Sequence, residues 1–237
     1  MQCEYVLVLC VTRMENGVCL AGISQTTPRW VRPVRRTGPV LATDLVDRRG
    51  HIIKPFDIVT FDLLELRSRP PHREDWVTDF DQHKPTIKST IPDAQRTAIL
   101  QPYVEDALDC LLEARTRSLC MIAPDTITAV YFNPANRFGR YEARVEFEHK
   151  GRAYGGEGQS PGYPCTDLRL RAWGRTLLAG HDRPMVLSSE HLRQCLGSEQ
   201  IFLVIGLGRE FQGRHWPLVV GFLAIPDYQA QIDLSNL

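Results

Sequence analysis

The 237-residue chain is 43% hydrophobic, enough to bury a core in one large domain or two small ones. Its 28 Lys and Arg offset 28 Asp and Glu, which excludes a histone-like or polybasic binder. No apolar run approaches the ~20 residues of a membrane helix, and the N-terminus lacks the pattern of a signal peptide, so a cytoplasmic protein with no membrane partner is expected. The seven cysteines (Cys3, Cys10, Cys19, Cys110, Cys120, Cys165 and Cys195) show no CxxC spacing and lie mostly inside apolar runs. Thiols packed as small hydrophobes fit a reducing compartment.

The first apolar run, Tyr5-Val6-Leu7-Val8-Leu9-Cys10-Val11, leads through Arg13 to Glu15-Asn16-Gly17 and a second run, Val18-Cys19-Leu20-Ala21-Gly22-Ile23. Asn-Gly between two β-rich runs predicts a hairpin whose primed turn takes positive φ at both central positions. The third run alternates Arg29, Val31 and Pro33 against Trp30, Arg32 and Val34, a strand that presents cations and an indole. Four strands are thus predicted, near 4–12, 17–24, 29–35 and 56–66, with a loop or short helix at 37–55. Pro70-Pro71 breaks the pattern after Arg67. The polar stretch 74–92, with Pro85 and Pro92, reads as an ordered loop.

From Asp93 the period changes. Tyr103, Val104, Ala107, Leu108, Leu111, Leu112 and Ala114 follow helical spacing, and Pro102 suits a first helical turn. One principal helix is predicted near 102–115. Strands return at 126–132 and 141–148, and His149-Lys150-Gly151-Arg152 turns the chain into Ala153-Tyr154. Residues 155–163 are Gly-rich. Residues 165–180 fit either strand or helix. A closing hairpin follows, 200–206 and 216–225, turning around Gln212-Gly213.

These segments carry a resemblance. Cys10-Val11-Thr12-Arg13, then Gly17-Val18-Cys19-Leu20-Ala21-Gly22, then Trp30-Val31-Arg32-Pro33-Val34 resemble the dual OB-containing domain of prokaryotic conflict systems. Pro71-His72-Arg73-Glu74-Asp75-Trp76 is similar to that family's acidic-aromatic segment. Residues 202–208, with His215-Trp216 and Val219-Val220-Gly221, resemble its closing hairpin. The resemblance implies two OB-like barrels and a role in binding nucleic acid, and it brings no catalytic residues. The expected fold is therefore mainly β: two OB-like small β-barrels with one principal helix. The first barrel is placed at 1–92, a helical connector at 93–125 and the second barrel at 126–237, with the two free to pack as one unit.

Charge is unevenly placed. Residues 1–55 hold eight Lys and Arg against four acids, 131–183 hold nine against six, and 56–130 hold eight against thirteen. Arg outnumbers Lys by 24 to 4. Arg suits bidentate phosphate contacts, and a GC-rich genome would give the same bias. Trp30, Arg32, Arg35 and Arg36 form a candidate platform for stacking and phosphate contact; the plain alternative is a Trp capping the core beside solvated arginines. Tyr131, Phe132, Arg137, Arg140, Arg144, Arg152 and Tyr154 form a second set. In it Glu142, Glu146 and Glu148 share the face of Arg144 and are placed to neutralise it.

The loop 155–162 has the glycines of a phosphate loop without its strand–loop–helix context and GK[ST] ending. Thr166 and Asp167 either meet a base or ribose edge or form a turn and a cap. His72, Glu74, Asp75, Asp79, Asp81 and His83 invite a metal reading, but their spacing matches no zinc or calcium loop. A solvated surface loop is expected there, with no metal or cofactor. No nucleophilic triad is visible in the sequence.

The leading expectation is a non-enzymatic module for single-stranded DNA or RNA. Its contacts would be Trp30, Arg32, Arg35, Arg36, Tyr131, Arg144, Arg152 and Tyr154, with Thr166 and Asp167 as nucleotide contacts. The resemblance places it in a prokaryotic defence or nucleic-acid-processing system. Two alternatives stand beside it: a nucleotide-directed enzyme or sensor with the Gly-rich loop as lid, and a protein–protein adaptor.

Overall fold

The computed structural model describes residues 2–106, 108–155 and 161–236, without the side chains of Cys110 and Asn236. Strand β1 (Gln2–Met14) is long because it serves two partners. Its first half pairs antiparallel with β4 (Asp57–Leu66) and the rest with β2 (Gly17–Ser24). β3 (Trp30–Val34) pairs with β2, and β5 (Asp75–Thr78) runs parallel to β3 and antiparallel to β4. The order β1–β2–β3–β5–β4 therefore returns to β1 and closes a five-stranded barrel, the OB plan. β6 (Thr86–Thr90) adds a polar, mostly exposed strand to β4.

The apolar run of β1 is unbroken because both of its faces are buried. Val6, Val8 and Val11 fill the barrel with Val18, Leu20, Val31, Val59 and Phe61. Leu7, Leu9 and Cys10 face outward into a second core. A bulge between Val8 and Cys10 adds the residue that switches which positions point inward. Glu15 and Asn16 form the turn to β2, since Met14 pairs with Gly17, and neither is at positive φ. Gly17 is required for space instead, because a Cβ there would lie 2.4 Å from the Val40 carbonyl oxygen.

The helical region is divided. α1 (Asp93–Leu100) runs into a 3-10 turn at Gln101–Tyr103 that holds Pro102, and α2 (Leu108–Ala114) follows after a break. β7 (Leu119–Ile122), inside the stretch read as a connector, pairs with β13 (Gln200–Leu207). β8 (Thr126–Asn133) lies between β9 (Glu142–His149) and β12 (Met185–Ser188); β10 (Arg152–Tyr154) and β11 (Tyr163–Pro164) both pair with β9. β13 also pairs with β14 (Pro217–Ile225). Lys150 and Gly151 take φ of 52° and 71°, the primed turn that joins β9 to β10. α3 (Leu168–Leu177) settles the ambiguous stretch as helix, and α4 (Ser189–Leu196) is a further helix.

Residues 163–167 join the two halves. The Cys165 amide donates to the Ala143 carbonyl at 2.8 Å, and Thr166 N donates to Val219 O at 2.9 Å. Arg13 N in turn donates to Thr166 O at 2.8 Å, linking β1 to this segment. Asp167 is fully buried; its Oδ1 accepts the Leu170 amide at 2.8 Å, capping α3, and its Oδ2 accepts the Phe222 amide at 3.2 Å. The core on the outer face of β1 is shared between the halves: Leu7, Leu9, Ala21, Ile23 and Phe56 pack with Leu119, Met121, Phe202, Val204 and Leu223. No helix among the described residues is long and apolar enough to cross a membrane.

Candidate functional site

Several strands of the barrel and the closing hairpin of the second half end around one cleft of about 260 Å³. Each strand brings an arginine near its end. Arg13 stands one residue before the end of β1, Arg35 just past β3, Arg67 and Arg69 past β4, and Arg209 past β13. Arg32 in β3 completes a set of six, and Asp75 is the one carboxylate in the lining among the described residues. Cys19, His72 and Thr166 also line it.

Two of the six are structural. Arg32 lies opposite Asp75 in the parallel β3–β5 register, with its Nε 2.5 Å from Oδ1 and a second nitrogen 3.3 Å from Glu74. Burial pulls the Arg32 pKa down, but Cys19, Asp75 and Glu74 outweigh that and hold it above its ordinary value. Arg35 grips Asp44 at 2.7 Å and Asp81 at 2.8–2.9 Å, and these bonds raise its pKa. Arg67 donates to the carbonyls of Arg35 and Arg36 at 3.2 and 2.8 Å, holding the exit of β3. Arg13, Arg69 and Arg209 have no ion pair among the described residues.

His72 is 9% exposed, and neither ring nitrogen has a hydrogen-bond partner among the described residues. Burial, then Arg32, Arg209 and His215, push its pKa down to about 3, so the ring is neutral near pH 7. A neutral imidazole carries one N–H donor, and here that donor lacks an acceptor. Burial pushes the Cys19 thiol up to about 11, which keeps it from being a thiolate nucleophile near pH 7. The chemistry of the lining, six guanidiniums and a neutral imidazole, is that of hydrogen-bond donors and positive charge. His72 and Asp75 line the cleft, and Glu74 is buried beside them against Arg32, which corrects the reading of this segment as a solvated loop. Of its other members, Asp81 holds Arg35, and His83 Nδ1 lies 3.0 Å from Asp62. No three His, Cys, Asp or Glu side chains among the described residues are grouped to hold a metal.

The profile of the dual OB-containing domain matches residues 5–157. The chain belongs to that family. In this dual OB-containing protein the match covers the closed barrel and the helical region and reaches β10, and it ends before the closing hairpin. The hairpin likeness read from residues 202–221 thus lies outside the matched span. No curated protein and no solved structure matches the chain.

Of the residues singled out in the sequence, Arg32, Arg35, His72, Asp75 and Thr166 meet in the cleft. Trp30 does not; it is half-buried against the core shared by the two halves. Arg36 is exposed and faces Glu65 at 3.1 Å. In the second set, Tyr131 donates to Glu146 at 2.7 Å, and that bond, with burial second, raises its pKa to about 12. Arg144 holds Glu142 at 2.9 Å and the carbonyls of Pro161 and Gly162. Arg152 and Tyr154 both bond Asp109, at 2.9 and 3.1 Å, and Tyr154 is buried in a stack on Phe147. These four are engaged with internal partners. Asp167 is a buried cap rather than a ligand contact. Residues 156–160 of the Gly-rich loop lie outside the described residues.

Sequence reasoning gave no site role to Arg13, Arg67, Arg69 and Arg209, and it weighed His72 only as a metal candidate. It also gave no role to the aromatics of the closing hairpin, Phe211 (63% exposed) and Trp216 (49%). Trp216 sits beside His215, and its carbonyl accepts the Gly208 amide at 2.9 Å. One available signal was the recurrence of arginine at strand exits.

Proposed function

We propose that this protein is a non-enzymatic module that binds single-stranded nucleic acid, and that the arginine cleft is where it holds the backbone. One observation carries this reading. The cleft lies between the strand ends that flank the β1–β2 turn, with Thr12, Arg13, Val18 and Cys19, and the β4–β5 loop, with Arg67, Arg69 and His72. The corresponding loops, L12 and L45, are those with which OB barrels take oligonucleotides. Arginine also has the planar donor geometry for phosphate. A place in a prokaryotic defence or nucleic-acid-processing system, in the cytoplasm, belongs to the same proposal and rests on the family resemblance.

The test is fluorescence anisotropy of single-stranded DNA and RNA oligonucleotides across a salt series. Affinity should fall steeply with salt, as counterions return to the phosphates. Arg13→Ala, Arg69→Ala and Arg209→Ala should each lower the slope by about one ion. An absence of binding at low salt would overturn the proposal.

A further inference from the structure

We propose that the cleft takes a phosphate monoester, the terminal phosphate of a strand or of a free nucleotide, rather than an internal phosphodiester. This assignment rests on the nucleic-acid reading, from which it takes the ligand class.

Charge comes first. Six guanidiniums line the cleft, and four carboxylates (Asp44, Glu74, Asp75 and Asp81) pair with two of them. The excess is two positive charges. An internal diester carries one negative charge, whereas a phosphate monoester carries about −1.5 to −2 at pH 7. Arg13, Arg69 and Arg209, without ion pairs among the described residues, arrive from three different strand ends and are free to divide its oxygens.

Space gives the second argument. The cleft's volume of about 260 Å³ lies just below the ~300–1,000 Å³ of pockets that enclose whole drug-sized ligands. It has room for a phosphate and its sugar.

His72 gives the third. Its orphaned ring is buried at the cleft wall and is held edge to face by His215, 5.7 Å between centroids. His215 is anchored in turn by Nδ1 at 2.7 Å from the Gly208 carbonyl. A monoester oxygen would give the His72 N–H the acceptor it lacks. Trp216, next to His215 in the same turn, offers an indole for the adjoining base.

The experiment measures the full chain, at low salt, against labelled 12-nucleotide strands carrying a 5′-phosphate, a 3′-phosphate or hydroxyls at both ends. AMP, 3′-AMP and adenosine are the competitors. A phosphorylated end should bind about tenfold or more tighter than hydroxyl ends, the gain of at least one charge-assisted hydrogen bond. Arg69→Ala and Arg209→Ala should weaken the phosphorylated strands more than the hydroxyl-ended one, so that the preference shrinks. His72→Leu, which removes an orphaned polar group and should fold normally, should reduce it as well. Adenosine should not compete.

Phosphorylated strands that outcompete AMP would identify strand ends as the source. AMP binding as tightly as the strand, or binding when no strand does, would identify free nucleotides. Equal affinity for phosphorylated and hydroxyl strands, with no binding of AMP or 3′-AMP, would overturn the monoester assignment and leave the general nucleic-acid reading standing. Binding of neither strand nor nucleotide would overturn both.

Discussion

His72 and His215 meet edge to face, their ring centroids 5.7 Å apart and their planes at 78°. The two come from loops far apart in sequence, one in the closed barrel and one in the closing hairpin, and His72 lines the arginine cleft. Because His72 is buried among Arg32, Arg209 and His215, its folded pKa falls to about 3 from 6.5. Below pH 6.5 the unfolded chain takes up a proton that the folded chain refuses. The contribution of His72 to stability is therefore lost progressively as pH falls from about 6.5 toward 3. His72→Leu should lose less stability than the wild type between pH 7 and 5, measured as the shift in urea midpoint. An equal loss in both proteins would show that the ring is not held neutral.

Asp167 has the opposite sign over an overlapping range. Burial raises its pKa to about 6 from 3.8, against the Leu170 and Phe222 amides that favour the carboxylate. The folded chain thus holds a proton that the unfolded chain has lost, and the contribution of Asp167 declines as pH rises from about 4 to 6. Asp167→Asn removes this dependence. The variant loses one of two amide acceptors, at a cost of about 1–3 kcal/mol. Its deficit against the wild type should nevertheless shrink by on the order of 2 kcal/mol between pH 4 and 7. A deficit that does not change with pH would count against a buried, protonatable Asp167.

A glycine in the middle of α3 breaks the usual expectation for helices. Ala in place of Gly ordinarily stabilises a helix interior by ~1 kcal/mol. At Gly174 a Cβ would sit 2.3 Å from ring atoms of Phe132 and 2.4 Å from the Tyr141 hydroxyl. Phe132 is buried in the core of the second half and Tyr141 packs against it, so they have little room to yield. Gly174→Ala should destabilise by about 1–3 kcal/mol, the usual cost of overpacking, read as a lower Tm. A gain in Tm would mean that α3 can shift away from β8.

Much of the fold was legible because the first four strands carry their own signals. β1, β2 and β4 are apolar runs, and β3 alternates. β5 was hidden: Asp75–Thr78 is only four residues long and lies in a polar stretch between prolines, too brief a run for Trp76, Val77 and Thr78 to stand out as a strand. β6 was hidden because an exposed polar strand has no apolar face to show. The signals for α4, a Ser188 cap and Gly197 at φ 62°, were present but local and brief. The cleft could not be read at all from charge counted along the chain. Arg13, Arg69 and Arg209 lie in three different stretches, and it is barrel closure and the hairpin that bring them together.

Trp30 and Trp216 separate packing from binding. Trp30 is half-buried against the core shared by the halves. Trp30→Ala should cost about 2 kcal/mol, below the 3–5 of a fully buried aromatic, and lower Tm by roughly 4–8 °C in a chain of this size. Trp216 is 49% exposed on the turn that also carries Arg209 and His215. Trp216→Ala should change stability by no more than ~0.5 kcal/mol while weakening single-stranded oligonucleotide binding by ~1–3 kcal/mol, the worth of one stacked base. Tm and anisotropy must be measured on the same preparations, since an unfolded barrel would also lose its ligand. A stable Trp216→Ala protein with unchanged affinity would remove the indole from the binding surface, and a stable Trp30→Ala protein with weakened affinity would return that role to Trp30.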